Sequence, residues 1–476
     1  MRDDMHRRRG PDRLTLAIGL ASAVGGLASA VGGMCVPRVT FAAGPPMILV
    51  DQPDALMDVP ISIELAGFAP HQPVALTATQ IFPSHSRWQA RATFTADENG
   101  HIAVARQAPA SGDYDGVAAM GLVWSAQRVV PATPPIPDDW ILQPSLIQLD
   151  AVGANGERSE LTVRRHSAAL GVTRNLIRSD GVVGILFLPP GEGPHPSVLV
   201  LHGGGGGIDE YTGAMLASHG YAALNLAYFS EPGLPRGLVN IALEYFENAI
   251  RWMRAQTWLG DGFLAVWGPS RGGELALLLG STFADINAVS AWVPSGVMFW
   301  PIGRAEKGDS RRPASWTLRG EPLPFLQEDN DNVEPIPPQQ PGEARAYTPI
   351  YLRHLRDARA VERATIAVEN IRGPVMLVSG TDDQMWPSSA LADIALRRLE
   401  SKAFAYPFQH LKYEGAGHLI LIPYGPRTTR NIGFKLEGFS GLLYAQGGNP
   451  RADAEAGADA WRQMLVFLEA GARNRR

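Results

Sequence analysis

From residue 182 onward, short apolar runs without polar alternation recur along the chain. They include Val182 to Leu188, Ser197 to Leu201, Tyr221 to Phe229 and Phe263 to Trp267. Segments of helical period, such as Glu274 to Leu279, separate the later runs. A strand that is apolar on both faces needs helices on both sides. Residues 181–476 are therefore predicted to form a doubly wound, mostly parallel α/β sheet.

Before residue 180 the hydrophobic pattern instead has a period of two. Val59, Ile61, Ile63 and Leu65 alternate with polar or small residues, and turn-forming segments such as Asp97 to Gly100 separate similar stretches. Short alternating strands at this spacing are typical of an antiparallel sandwich. Residues 44–180 are thus predicted to form an Ig-like antiparallel β-sandwich ahead of the α/β domain.

A proline-rich segment at about 300–370 interrupts the α/β pattern between the apolar runs Ala288 to Val293 and Val375 to Val378. Doubly wound sheets bind ligands at the carboxyl edge of their strands, where such an excursion would lie. We expect a cap-like insertion that shapes a substrate pocket. The alternative is a surface insertion without contact to substrate.

The N-terminus has the features of an export signal. Arg7-Arg8-Arg9 and Arg13 precede an uncharged run from Leu14 to Met34, and small residues follow near Ala42. This order is typical of a secretory signal peptide, which we assign to residues 1–43. The alternative is a misassigned start, with translation beginning at Met34 or Met47. The protein is accordingly expected to be periplasmic or secreted if the leader is genuine, and otherwise cytoplasmic.

Composition limits the partners. Acidic residues outnumber basic ones by 47 to 42, and no basic stripe follows a predicted element, which disfavours nucleic acid. The glycine-rich leader run is a poor permanent membrane anchor. A single cysteine excludes an intramolecular disulfide and a zinc site built on several thiolates. We expect a small-molecule substrate and no cofactor or metal, and the oligomeric state stays open.

The motif Gly268-Pro269-Ser270-Arg271-Gly272 follows one apolar run and opens a helical one. G-x-S-x-G between a strand and a helix is the nucleophile elbow, in which a tight turn exposes the serine. Small neighbours allow the strand and the helix to approach closely. We predict Ser270 as the nucleophile and the backbone N–H of Arg271 as one oxyanion donor.

A serine nucleophile needs a base and an orienting acid, which follow it in the order Asp or Glu, then His in this fold. Asp382 and Asp383 come directly after a late apolar run, and His418 lies in a later loop between small residues. We predict Asp383, rather than the adjacent Asp382, as the acid and His418 as the base.

A glycine loop, His202 to Gly207, follows another apolar run. It lacks the Lys-Ser or Lys-Thr of a P-loop and does not match the dinucleotide fingerprint. Its place in the fold is that of the second oxyanion donor. We assign this role to Gly204, with Gly205 as the next candidate.

Several segments, in this order, resemble the acyl-CoA thioesterase / bile acid-CoA:amino acid N-acyltransferase family. The matching segments are Met120 to Trp124, Gly203 to Leu216, Leu226 to Phe229, Leu243 to Phe246, Ser270 to Leu275, Gly380 to Trp386, Gly417-His418, Pro423-Tyr424 and Gly447 to Pro450. The resemblance implies a β-sandwich followed by an α/β-hydrolase domain, and a Ser or Cys nucleophile acting with Asp and His on acyl-CoA. Glu274 also matches, with a role left open beside that of a buried packing carboxylate.

The family's amino acid acyltransferases are similar but carry cysteine at the nucleophile, so Ser270 favours water as the acceptor. We therefore expect a serine hydrolase that cleaves acyl-CoA to free acid and CoA through an acyl-enzyme. The alternatives are an exported carboxylester or dienelactone-type hydrolase and an acyl-CoA:amino acid N-acyltransferase.

Overall fold

The computed structural model of the chain describes residues 44–259, 262–303, 313–327, 339–420, 423–433 and 441–473. The predicted leader, residues 1–43, and two parts of the predicted insertion, residues 304–312 and 328–338, lie outside these ranges. Within the described ranges, no helix combines the length and the apolar character needed to cross a membrane.

The first part of the chain forms two β-sheets. Its elements are β1 (Met47–Val50), β2 (Asp54–Leu56), β3 (Ile63–Ala66), β4 (Pro73–Ile81), β5 (Arg87–Thr95), β6 (Ile102–Ala103), β7 (Ser111–Gly112), α1 (Gly121–Trp124), β8 (Gln127–Val130), β9 (Ser145–Gly153) and β10 (Arg158–His166), with a 3₁₀ turn at Trp140–Leu142. The smaller sheet has the order β1-β3-β6. The larger has the order β2-β10-β9-β4-β5-β7, with β8 beside β5.

The two sheets bury one shared apolar core. Alternate residues of the long strands enter it, for example Leu76 and Ala78 of β4 and Ala92 and Phe94 of β5. This alternation follows from the pleat, which turns successive side chains to opposite faces. All strand pairs here are antiparallel except β2 with β10. The period-two pattern thus corresponds to strands with one buried face.

The second part of the chain is built around an eight-stranded sheet. Its strands and those of its connections are β11 (Thr173–Ser179), β12 (Val182–Leu188), β13 (Ser197–Leu201), β14 (Ala222–Leu226), β15 (Ile241–Ala242), β16 (Leu264–Pro269), β17 (Ala288–Trp292), β18 (Trp316–Leu318), β19 (Glu321–Pro322), β20 (Ala344–Arg345), β21 (Val375–Gly380), β22 (Phe408–Tyr413), β23 (Asn431–Ile432) and β24 (Leu443–Ala445). The main sheet has the order β11-β12-β14-β13-β16-β17-β21-β22, parallel from β14 onward. The predicted α/β-hydrolase fold is confirmed.

The expected boundary at residue 180 needs a correction. Thr173–Ser179 pairs antiparallel with Val182–Leu188, and the turn at Asp180-Gly181 joins them through two residues of positive φ. The strand before residue 180 therefore belongs to the second sheet. Its pattern of exposed and half-buried residues resembles the sandwich strands because it is an edge strand.

Helices cover both faces of the main sheet. They are α2 (Glu210–Ser218), α3 (Leu243–Arg254), α4 (Arg271–Thr282), α5 (Thr348–His354), α6 (Ala358–Ala364), α7 (Ser388–Ser401) and α8 (Pro450–Arg473), with a 3₁₀ turn at Val368–Asn370. Leu199 and Leu201 of β13 share a core with α3, α4 and α7, whereas Val198 and Val200 share one with α2 and α8. Burial on both sides explains the continuous apolar runs.

A buried carboxylate ties the sandwich to the second part of the chain. Asp58, which follows β2, has a 6% exposed side chain, and its Oδ2 lies 2.5 Å from His219 Nε2, just beyond α2. Trp461 of α8 donates its ring N–H to the same oxygen at 2.9 Å. Burial raises the pKa of Asp58, but the hydrogen bonds from His219 and Trp461 outweigh it, and the net pKa lies below the usual value.

Replacing Asp58 by Asn should therefore destabilise the protein by about 1–3 kcal/mol near pH 7, because a buried partner of two donors loses its charge. A lowered carboxyl pKa contributes stability that is present above the usual value of about 3.9 and is lost as pH falls below it. The difference between wild type and variant in urea unfolding should shrink at acidic pH. Asp54→Asn is the matched control.

In that control, Asp54 also pairs with a histidine, since its Oδ1 lies 2.6 Å from His166 Nε2, but its side chain is 57% exposed. Exposed pairs contribute about 0–1 kcal/mol. Equal losses for the two variants would contradict the role given to the buried Asp58.

Candidate active site

The G-x-S-x-G motif forms the turn between β16 and α4. Ser270 adopts φ 58° and ψ −122°, a positive φ that residues other than glycine rarely adopt. Its N–H donates to the Trp292 carbonyl at 2.8 Å, and its carbonyl accepts from the Glu274 N–H at 3.0 Å. These two bonds hold the strained turn and leave the hydroxyl at the carboxyl edge of the sheet.

The two glycines of the motif are required by the close approach of backbones. A Cβ at Gly268 would lie 2.3 Å from the Gly272 carbonyl oxygen. A Cβ at Gly272 would lie 2.3 Å from the carbonyl oxygen of His202 in the glycine loop. Any side chain would push these segments apart, so the motif's small residues set the geometry around Ser270.

The glycine loop after β13 packs on this turn. A Cβ at Gly203 would lie 3.6 Å from Ser270 Cβ, and one at Gly204 would lie 3.2 Å from Arg271 Cγ and 3.0 Å from Ile302 Cδ1. Gly203 and Gly204 are thus within contact distance of the nucleophile turn. The glycine loop thus lies against the N-terminus of α4, beside Ser270.

His418 and Asp383 form a buried pair beyond β22 and β21. His418 Nδ1 lies 2.8 Å from Asp383 Oδ2, and the Asp383 side chain is 1% exposed. The other oxygen, Oδ1, accepts the backbone N–H groups of Met385 and Trp386 at 3.0 and 3.2 Å. These bonds fix the carboxylate and, through it, the ring of His418.

The adjacent Asp382 has a different place. Its side chain accepts the backbone N–H of Gly448 at 3.0 Å, and the same N–H lies 3.1 Å from its carbonyl oxygen. Successive residues of this loop thus face opposite ways. Asp383 contacts His418, whereas Asp382 fastens the segment after β24.

Sequence reasoning did not identify the groups that hold the histidine loop. The His418 N–H donates to the Gln446 carbonyl at 2.8 Å, and the Gly417 N–H donates to Asp453 Oδ1 of α8 at 2.7 Å. Arg430 binds the other Asp453 oxygen at 2.8 Å. In the sequence, Asp453 is one of several acidic residues in a helical segment. Its complete burial distinguishes it as the residue that holds the histidine loop.

Ser270 and His418 line one cavity of about 270 Å³. Among the described contacts, no hydrogen bond joins the Ser270 hydroxyl to the His418 ring; in enzymes without substrate this bond is often long. Aromatic side chains also line the cavity: Trp386 of a matching segment, and Trp300, Tyr347, Tyr351 and Tyr444, which no motif marked. Trp300 and Tyr351 stack at 4.9 Å between ring centres. The walls are thus mainly apolar around a few polar groups.

A buried ion pair lies behind the nucleophile. Arg271 Nη1 donates to Glu274 Oε2 at 2.9 Å, and its Nη2 donates to the Phe299 carbonyl at 3.2 Å and to the Ser315 hydroxyl. The other Glu274 oxygen accepts the Trp316 ring N–H at 2.7 Å. Glu274, whose role the sequence left open, therefore links the nucleophile helix to the insertion.

The sequence matches two parts of one family. Residues 241–472 match "BAAT / Acyl-CoA thioester hydrolase C terminal", and residues 58–179 match "Acyl-CoA thioester hydrolase/BAAT N-terminal region". The peroxisomal succinyl-coenzyme A thioesterase of Mus musculus is 31% identical over 86% of this chain and 93% of its own length. The acyl-coenzyme A thioesterase 1 of Homo sapiens is 30% identical over the same shares. The resemblance noted from the motifs is confirmed.

Solved structures show a more distant likeness. A Mycobacterium tuberculosis puromycin-hydrolyzing peptidase aligns at 14% identity and a TM-score of 0.43, over 83% of this chain and 53% of that one. A dienelactone hydrolase-like promiscuous phosphotriesterase aligns at 16% identity and a TM-score of 0.36, over 63% of this chain and 98% of that one.

Replacing Glu274 by Gln should change how stability depends on pH. Burial raises the pKa of Glu274 to about 7, although Arg271 and Trp316 act in the opposite direction. A raised carboxyl pKa contributes stability that is lost as pH rises from the unfolded value of about 4.3 through the folded value. In urea unfolding, wild type should therefore lose stability relative to the variant between pH 4.5 and 7.

Glu369→Gln is the matched control. Glu369 forms a two-bond ion pair with Arg398 at 2.6 Å, and these hydrogen bonds lower its pKa. Its contribution should stay nearly constant from pH 4.5 to 7 and decline only at more acidic pH. Parallel curves for both variants would refute the proposed burial effect on Glu274.

Proposed function

Because this chain belongs to the acyl-CoA thioester hydrolase/BAAT family, we propose that it hydrolyses acyl-CoA to a free acid and CoA through an acyl-enzyme on Ser270. The observation that carries the proposal is a serine at a strained elbow, lining the same cavity as a histidine that is paired with a buried carboxylate. The curated relatives of similar length, named as acyl-CoA thioesterases, support the substrate class.

In the proposed reaction, the Ser270 hydroxyl attacks the thioester carbonyl carbon while His418 Nε2 takes its proton. The C–S bond then breaks, and the thiolate leaves with the proton from His418 as the CoA thiol. Water attacks the acyl-enzyme, gives its proton to His418 and releases the acid, and Ser270 regains its proton. Asp383 holds the Nδ1–H tautomer and stabilises the charged ring.

The negative charge that develops on the carbonyl oxygen needs fixed donors. We assign these to the backbone N–H groups of Arg271 and Gly204. The contact between the glycine loop and the nucleophile turn, together with the N-terminus of α4, supports this assignment. The ion pair of Arg271 with Glu274 keeps the side chain of the first donor residue in place.

The segment at 300–370 is proposed to act as a cap over the acyl group. Trp300, Ile302, Tyr347 and Tyr351 come from this segment and line the cavity. Their rings and methyl groups would exclude water from the acyl chain and gain from its burial.

Replacing Ser270 by Ala should lower kcat for acyl-CoA by about 10³-fold or more, because no group remains to form the acyl-enzyme. Ser281→Ala is the matched control: this serine lies on the same helix, where its hydroxyl bonds the Leu278 carbonyl at 2.9 Å. A fluorophosphonate should label wild type and S281A, but not S270A. Normal turnover by folded S270A would exclude the mechanism.

The same preparation separates the alternatives. A p-nitrophenyl ester with the same acyl group should be turned over with a kcat/KM at least about tenfold below that of the acyl-CoA, a difference of about 1.4 kcal/mol in transition-state binding. Preference for the ester would favour an exported carboxylester hydrolase. An N-acyl product formed in the presence of amino acids would favour an acyltransferase.

The two neighbouring acids provide a paired test of the triad. Asp383→Asn should lower kcat by about 10³–10⁴-fold, because the amide no longer holds the required histidine tautomer. Asp382→Asn should keep kcat within about threefold of wild type, since its side chain holds only the Gly448 N–H. The reverse ranking, with both variants folded by circular dichroism, would reassign the acid.

A further inference from the structure

A second cavity, of about 330 Å³, adjoins the catalytic one. The two share Leu419, which directly follows His418, and Ile432 of β23. The second cavity therefore lies beside the residue that follows the proposed base, and none of the aromatic residues from the insertion lines it. We call it the hairpin groove.

The groove lies between the sandwich and the hydrolase part of the chain. One wall is the hairpin that joins β4 to β5, with Ser84, Ser86 and Trp88. The opposite wall includes Thr429 and Tyr211. The sandwich thus reaches the space beside the base directly, a contact that neither sequence pattern indicated.

Hydrogen bonds fix the two walls relative to each other. The Arg427 N–H donates to the Trp124 carbonyl at 2.9 Å, and the Thr428 hydroxyl donates to the Ala126 carbonyl at 2.7 Å. The segment between the histidine loop and β23 is thereby attached to the backbone around α1. A groove held in this way is preorganised, which lowers the entropic cost of binding.

The walls of the groove differ chemically from those of the catalytic cavity. Four hydroxyl-bearing side chains line it, those of Ser84, Ser86, Tyr211 and Thr429, and the first two lie 3.1 Å apart, within hydrogen-bond distance. Trp88 adds a half-buried ring that the Arg128 guanidinium covers at 5.7 Å. Hydroxyls can donate hydrogen bonds to amide groups and accept hydrogen bonds from them, and an indole ring packs against methyl groups.

An acyl-CoA has two parts that match this division. Its acyl chain is apolar, whereas the pantetheine arm on the other side of sulfur carries two amides, a hydroxyl and a pair of methyl groups. We propose that the hairpin groove binds the pantetheine arm of the leaving group while the aromatic cavity holds the acyl chain. This inference rests on the proposed thioesterase function and gives the sandwich a direct part in substrate recognition.

The test compares three thioesters that carry the same acyl group and differ in their thiol: the CoA, the pantetheine and the N-acetylcysteamine thioester. The last lacks most of the arm. Trp88→Ala and the isosteric Thr429→Val are the groove variants, and Trp252→Ala is the control, a half-buried tryptophan outside both cavities. The measured quantity is the ratio of kcat/KM for each full-arm substrate to that for the truncated one.

We expect Trp88→Ala to lower this ratio by about tenfold, mainly through KM, and Thr429→Val to lower it by about threefold. Trp252→Ala should leave the ratio unchanged. An unchanged ratio in both groove variants would overturn the proposal. An equal loss of kcat/KM on all three thioesters would also overturn it, since the acyl chain would then lie in the groove or Trp88 would have a purely structural role. Wild type inactive on every thioester would refute the thioesterase function itself.

Discussion

The close contact of three backbones at the nucleophile turn determines the rest of the site. β16, α4 and the glycine loop meet with no space for a Cβ at Gly268 or Gly272. This contact forces Ser270 into its positive φ, and a strained residue of this kind persists only when its surroundings over-determine it. The bond from the Ser270 N–H to Trp292 contributes to that restraint.

A strained turn also needs rigid support behind it, and here the support is charged. Arg271 and Glu274 are both buried, and each depends on the other for a hydrogen bond, while Glu274 also depends on the Trp316 ring N–H. Such a pair gives little net stability, but the loss of one member is costly because a charge is left without a partner. Since Arg271 also bonds Phe299 and Ser315, the pair joins α4 to the insertion, part of which lines the cavity.

The elements that follow a simple physical pattern could be predicted from sequence. Continuous apolar runs predict the strand before Ser270 and the mostly parallel sheet. The candidate site residues follow from their positions in the loops after predicted strands. Thr173–Ser179 was misjudged because an edge strand exposes its polar face like a sandwich strand. The aromatic wall with Trp300 and the support of Asp453 for the histidine loop escaped notice, because they depend on long-range packing without a local pattern.

The two halves of the chain are coupled at the point where chemistry is proposed to occur. Asp58 attaches the sandwich to the end of α2 and to α8, and the backbone around Trp124 holds the segment between the histidine loop and β23. Movement of the sandwich would therefore shift one wall of the hairpin groove and the segment beyond His418 together. A sandwich fixed in this way contributes to the precision of the site as well as to its shape, which gives a physical reason for the two domains to occur as one unit.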